Sequence, residues 1–221
     1  MSTIAIIGGT GPQGKGLGYR FAKGGYDVIL GSRSEARAIE AATELAQRST
    51  AGSVRGAANA TAAEAAVLVL LAIPFDGHDD LVAELAPQLS GKVVISCVNP
   101  LGFDKRGPYG LDLGPTSAAE NAQALLPNSK VEGGFHHLSA VTLISEIDLL
   151  DHEDILVCGD DADAKAAVLE LAAAVTGKPG VDAGALRLAR QLEPLTAVLI
   201  SVNKRYKVRS GIAVVGLDGH G

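Results

Sequence analysis

The sequence predicts an α/β fold, a doubly wound and mostly parallel sheet with a small C-terminal helical domain. Two observations predict the sheet. Short apolar runs alternate with helical stretches through the first hundred residues, and the first of those runs ends in a glycine-rich turn that opens a helix. A third observation predicts the appendage: the longest helical pattern in the chain runs from Leu186 to about Tyr206.

The elements follow in order. Thr3–Gly8 reads as a buried parallel strand, because it is short, continuously apolar and stopped by glycine. Gly14–Lys23 reads as a helix closed by Gly24-Gly25. Tyr26–Leu30 is the second strand and Ser34–Arg48, rich in Ala, Glu and Arg, the second helix. Ala65–Ile73 is a third strand stopped by Pro74, Gly77–Leu89 a helix, and Lys92–Val98 a fourth strand before Asn99-Pro100. Residues 101–116 are dense in Gly and Pro and read as a loop. Ser117–Leu126 reads as a short helix, Lys130–Leu138 and Ile155–Cys158 as strands, Asp163–Thr176 as a helix and Val181–Ala183 as an edge strand. A domain boundary near Gly177–Gly184 divides the chain into residues 1–180 and 181–221.

Composition narrows the function. The chain has 221 residues, 47% hydrophobic and only 4% aromatic, so aliphatic side chains must fill its core. A net charge of -6 argues against nucleic acid as a partner. The longest apolar run, Ala65–Ile73, is far short of the roughly 20 residues a membrane span needs, so no membrane partner is expected. The first apolar stretch, Ile4–Ile7, is too short for a signal peptide, which predicts a cytoplasmic protein. Cys97 and Cys158 lie in apolar contexts and read as buried free thiols. Without a C-x-x-C, a metal site is not expected.

Gly9-Thr10-Gly11-Pro12-Gln13-Gly14 is G-x-G-x-x-G, placed between a strand and a helix, where it forms a dinucleotide turn. The first glycine permits the turn, the second admits the pyrophosphate and the third lets helix pack on strand. The helix start then offers free N–H groups to phosphate. Gly9–Lys15 also matches the opening of a P-loop, but Gly16 stands where that motif needs Ser or Thr. The second strand runs into Gly31-Ser32-Arg33, with no carboxylate at its tip and with Arg37 four residues beyond Arg33. Two arginines and a serine suit a 2′-phosphate, so NADP(H) is expected rather than NAD.

Other clusters carry less. Tyr19-x-x-x-Lys23 lies in the first helix, behind the glycine turn, and reads as structural. Asp160, Asp161 and Asp163 precede a helix and read as caps. His136-His137 follow a strand end, where adjacent side chains face opposite ways, so a shared metal is not expected; either one of them faces a ligand or both serve the core or loop. Lys204, Arg205, Lys207 and Arg209 read as a solvated helix end. Ile73, Pro74, Val98, Asn99 and Pro100 sit at strand ends, where a nicotinamide would lie.

The chain resembles the NADPH-dependent coenzyme F420 reductases. The likeness rests on Ile6–Gly11 with Gly14–Leu17, on Gly31-Ser32-Arg33, on Cys158–Asp161, on Asp182–Gly184 with Leu186, and on Glu193, Leu195 and Thr196. It implies a Rossmann domain, a homodimer or higher homo-oligomer, and direct hydride transfer between NADP(H) and the deazaflavin F420, with no catalytic side chain. It carries NADP contacts to Thr10, Gly11, Pro12, Gln13, Ser32, Arg33 and Arg37, and matches Phe135–Ala140 to the deazaflavin lining. On that basis NADP is expected on Gly9–Gly14, Ser32, Arg33, Arg37, Ile73, Pro74, Val98 and Ala140. F420 is expected on Asn99, Pro100, His136, His137, Leu138 and Ser139. Residues 1–180 then bind NADP and residues 181–221 complete the deazaflavin site. The sequence departs from the family at Ser139 and Ala197, where the family often carries Pro. The alternatives are an NADPH-dependent reductase of a small carbonyl or imine, with a histidine as proton donor, and a non-catalytic NADP-binding sensor.

Overall fold

The first apolar run forms strand β1 (Thr3–Ile7), and the glycine turn delivers the chain into helix α1 (Pro12–Lys23). Strand β2 (Asp27–Ser32), helix α2 (Glu35–Ala46), strand β3 (Val54–Ala58) and helix α3 (Asn59–Ala65) follow. Then come β4 (Leu68–Leu71), α4 (His78–Leu89), β5 (Val93–Ser96) and a two-stranded hairpin of β6 (Leu101–Asp104) and β7 (Gly107–Gly110). The second half holds α5 (Ala118–Leu125), β8 (Lys130–Gly133), α6 (Ala140–Leu143), β9 (Leu156–Gly159), α7 (Ala162–Leu171), α8 (Ala173–Thr176), β10 (Val181–Asp182) and, after a 3-10 turn, α9 (Ala189–Tyr206). This computed structural model describes residues 2–48 and 51–217; the ends of the two predicted domains, at residues 1 and 218–221, lie outside them.

Six strands run parallel in the order β3-β2-β1-β4-β5-β8, which is the doubly wound arrangement. β9 then pairs antiparallel with β8, and β10 adds at the edge beside β9. β1 is central, with Ile6 opposite both Leu30 and Leu70. Its residues alternate between two cores. Ile4 and Ile6 face Leu17 and Phe21, whereas Ala5 and Ile7 face Val69, Leu71 and Val94. Helices cover both faces, so these strands read as continuous apolar runs. The strand order reverses between β1 and β4, which opens a crevice over their C-terminal ends. Among the described residues, no helix is long and apolar enough to cross a membrane.

The structure departs from the sequence reading in four places. β3 and α3 fill a stretch to which the sequence reading assigns no element, and the run expected to be strand from Ala65 begins at Leu68. Residues 101–110 are a hairpin rather than a loop. The strand expected to reach Leu138 stops at Gly133, because Phe135 turns into the left-handed region at φ 63. That conformation costs a non-glycine residue roughly 1–2 kcal/mol. Burial of the Phe135 ring edge-on against Phe21, with centroids 5.7 Å apart, holds it there. A short helix, α6, follows where none was expected.

Candidate functional site

Two cavities, of about 530 and 470 Å³, lie along the crevice and share Gly11, Ala72, Ile73 and Pro74. The first is built on the glycine turn. Gly8 has φ +78, and a Cβ there would lie 2.5 Å from the Ala72 carbonyl oxygen. A Cβ on Gly14 would lie 2.7 Å from Gly9 Cα, so Gly14 is what lets α1 start this close to the turn. Gly11 caps α1 without a side-chain acceptor, and no acidic residue occupies the first turn. The first N–H groups of α1 are therefore available to an anion.

At the far end of the first cavity stand Ser32, Arg33 and Arg37. Ser32 ends β2 and is buried; its Oγ accepts from the Ser34 N–H at 3.2 Å, which leaves its own O–H to donate. Ser34 caps α2, with its Oγ 3.5 Å from the Arg37 N–H that donates to it. The cap sets the direction of the first turn, and Arg37 lines the same cavity as Arg33. Both arginines are exposed, whereas Glu35 lies outside the lining. Asp76, Asp80 and Glu84, from α4 and the turn before it, form the facing wall.

The second cavity is built around the turn at His136-His137. Asn99, just beyond β5, donates its Nδ2–H to the His136 carbonyl at 2.8 Å. Thr196 of α9 donates its Oγ1–H to the same oxygen at 2.9 Å. Gln13 of α1 reaches the Phe135 carbonyl at 3.5 Å. Three separated elements thus hold one turn in place. Burial pushes the His136 imidazole down to about 3, with a smaller contribution from neighbouring His137. Burial also pushes His137 down to about 4, and both rings are neutral at pH 7. Burial pushes the Cys97 thiol up to about 12; it donates to the Leu71 carbonyl at 3.2 Å. Half-buried Glu153 stands 3.9 Å from His137 Nε2, and its carboxyl is raised by desolvation. The cavity lining therefore offers polar hydrogen-bonding groups but little fixed charge.

Most predicted site residues line these cavities. Thr10, Gly11, Ser32, Arg33, Arg37, Ile73 and Pro74 line the first. Asn99, His136, His137, Leu138 and Ser139, expected on F420, line the second, and so do Pro12, Gln13 and Ala140, which the sequence reading puts on NADP. Gly9 and Gly14 line neither and act by shaping the turn. Val98 was expected against the nicotinamide but is a core residue, 1% exposed; only its backbone reaches the His136 ring. Pro100 faces a separate cavity with Arg190, Glu193 and Pro194. The two histidines do not face opposite ways as on a strand, because the strand ends before them and both line one cavity.

A sequence model of the family described as NADP oxidoreductase, coenzyme F420-dependent, matches residues 3–100. The F420-dependent NADP reductase of Methanocaldococcus jannaschii is 37% identical, over 97% of this chain and 99% of that protein. The chain belongs to the F420-dependent NADP reductase family. The Methanothermobacter thermautotrophicus member is also 37% identical, over 97% of this chain and 95% of its own length. A solved structure from Arthrobacter sp. FB24, provisionally named an F420-dependent NADP reductase, superposes with a TM-score of 0.80 at 26% identity, covering 97% of this chain and all of that one.

Sequence reasoning missed several lining residues that this member of the family contributes. Leu199, Ile200 and Asn203 of α9 join Thr196 on the second cavity. Their i, i+3, i+4, i+7 spacing marks one helical face and was a signal available in the sequence. Asn59 and Leu81 join the first cavity from elements that motif reading did not touch. The residues expected to be structural behave so. Tyr19 is buried, and Lys23 pairs with Asp148 at 2.8 Å. Asp161 caps α7 by accepting from the Ala164 N–H at 3.0 Å.

Proposed function

We propose that this chain transfers a hydride between NADPH and the deazaflavin coenzyme F420, with the nucleotide in the first cavity and the deazaflavin in the second. The shared wall of Gly11, Ala72, Ile73 and Pro74 carries the reading, because groups seated in the two cavities adjoin there across small and apolar residues. Membership of the family supports it. The residues fit both cofactors: an uncapped helix start and an Arg-Arg-Ser wall suit a phosphorylated nucleotide, and a lining with little fixed charge suits a neutral ring.

When bound, the two cofactors supply the redox chemistry, as donor and acceptor of a hydride. The chain's part is to bind, align and keep water out. Thr10, Gly11, Ser32, Arg33 and Arg37 hold NADPH. Gln13, Asn99 and Thr196 fix the turn of His136 to Ala140 against which the deazaflavin rests. The neutral histidines and protonated Cys97 bring no charge to the junction and no competing nucleophile. Residues 181–221 act as the part that completes the second cavity, through the inner face of α9. The reading includes a homo-oligomer, supported by the exposed apolar side chains Leu188, Val198 and Tyr206 along α9 and the turn before it. Analytical ultracentrifugation tests that part.

Loss of the deazaflavin absorbance on mixing with NADPH and the protein is the expected result. NADPH binding without transfer to deazaflavin, but with turnover of a small imine or carbonyl, would overturn it. His136→Asn and His137→Asn separate the two readings further. Direct transfer keeps kcat within about tenfold, whereas loss of a general acid would lower it by roughly 10²–10⁴-fold with NADPH affinity intact.

A further inference from the structure

Asn59 opens α3 immediately after β3, and β3 pairs with β2 so that Ala58 lies beside Ser32. Asn59 is thereby the next residue at the rim, adjacent to the end of β2. It lines the first cavity together with Ser32, Arg33 and Arg37. Its side chain is buried, with the residue 8% exposed, and Oδ1 accepts no hydrogen bond from the protein. Gly31 makes room for it, since a Cβ there would come 2.9 Å from that oxygen. A buried amide oxygen left unsatisfied costs about 1–3 kcal/mol, so its position calls for a ligand donor.

The chemistry of Oδ1 says which donor. An amide oxygen accepts protons, and a phosphate dianion has none to give. The phosphate is matched by Ser32, Arg33 and Arg37, all donors. What remains beside a 2′-phosphate is the hydroxyl-bearing ribose. We propose that Asn59 binds the adenosine ribose by accepting from its free hydroxyl, and that its neutrality helps select the 2′-phosphorylated cofactor. A carboxylate at this position would accept from both hydroxyls of an unphosphorylated ribose and repel a phosphate on one of them. This inference rests on the nucleotide half of the proposed function and on none of the deazaflavin half.

The test is calorimetric titration of the full chain with NADPH, NADH and 2′,5′-ADP, which needs no turnover. Asn59→Ala is expected to weaken all three by about three- to tenfold, the loss of one neutral hydrogen bond. Asn59→Asp is expected to weaken NADPH and 2′,5′-ADP by about tenfold or more while NADH stays within about threefold, because only the first two set a phosphate against the new charge. Wild-type affinities for all three in Asn59→Ala overturn the ribose contact. An unchanged NADPH-to-NADH ratio in Asn59→Asp overturns the role in selection. Because Oδ1 bonds nothing within the protein, Asn59→Ala should keep the wild-type circular dichroism, and it decides the ribose contact if the aspartate variant does not fold. Wild-type protein that binds none of the three nucleotides would overturn the nucleotide reading itself. NADPH binding without hydride transfer would overturn only the deazaflavin reading and leave this one standing.

Discussion

Single residues divide the labour of the site, and each can be removed separately. Arg33 and Arg37 are exposed, so each contact they make with a phosphate is partly screened. Changing both to Ala should still lower NADPH affinity relative to NADH by about 2–4 kcal/mol, two charge-assisted hydrogen bonds reduced for exposure. Equal losses for NADPH and NADH would show that the pair does not read the 2′-phosphate. Thr196 makes one hydrogen bond, and makes it to a main-chain oxygen. Thr196→Val keeps the volume and should cost about 1 kcal/mol in stability. Because Asn99 still holds the same carbonyl, the change should raise KM for the deazaflavin and leave the NADPH dissociation constant alone. The place of Arg33 and Arg37 on the first cavity was legible in the sequence, since strand end plus Ser-Arg is a local pattern. The tether on His136 was not, since Asn99, His136 and Thr196 are brought together only by the fold. Nor was Asn59, whose position depends on the pairing of β3 with β2.

Elements explain where the sequence was readable. β1, β2, β4 and β5 are continuous apolar runs buried on both faces, and that pattern announces itself. β3 reads Val-Arg-Gly-Ala-Ala and has little intrinsic strand preference. It is a strand because α2 packs on it so closely that a Cβ on Gly56 would lie 2.2 Å from the Ala38 carbonyl carbon. Tertiary packing chose small residues there at the expense of local propensity. α6 is similarly invisible, being only four residues long, and is placed by Arg20 of α1. That guanidinium is fully buried and donates to the carbonyls of Thr142, Leu143, Ile147 and Asp148 at 2.7–2.9 Å. Arg20→Met removes the fork: the Thr142 carbonyl keeps the N–H and hydroxyl of Ser145, but the carbonyls of Leu143, Ile147 and Asp148 lose this donor. A loss of about 3–5 kcal/mol is expected, with faster hydrogen exchange concentrated in residues 140–148. Uniform exchange across the sheet, without a local increase, would sink the assignment of Arg20 as the anchor of this segment.

At the scale of the whole molecule, buried titratable groups of opposite sign shape the stability profile. Burial raises Glu132 to about 8 and Glu193 to about 7, from an ordinary 4.5. Glu193 keeps part of its worth by accepting from the Ala118 and Ala119 N–H groups at the start of α5, both at 3.0 Å. Between pH 4.5 and about 8 the folded chain holds protons on these carboxyls that the unfolded chain has released, so stability falls as pH rises through that window. His136 and His137 do the reverse. Below an ordinary 6.5 the unfolded chain gains protons that the buried rings refuse until about 3–4, so stability falls as pH drops through that window. The unfolding midpoint should therefore peak between about pH 4.5 and 6.5. Glu132→Gln should raise stability at pH 8 by about 2–4 kcal/mol and change little at pH 5. Parallel wild-type and variant profiles from pH 5 to 8, measured by thermal unfolding, would show that Glu132 is not the group responsible. Arg20 grips the segment that follows Ala140 by main-chain oxygens alone, and every amino acid supplies the same oxygen. Exposed side chains such as Val141 and Ile147 can therefore be exchanged without loosening that grip, whereas Leu143 is held in the core. Sequence change at such exposed positions leaves the segment in place, and with it Ser139 and Ala140 at the edge of the second cavity.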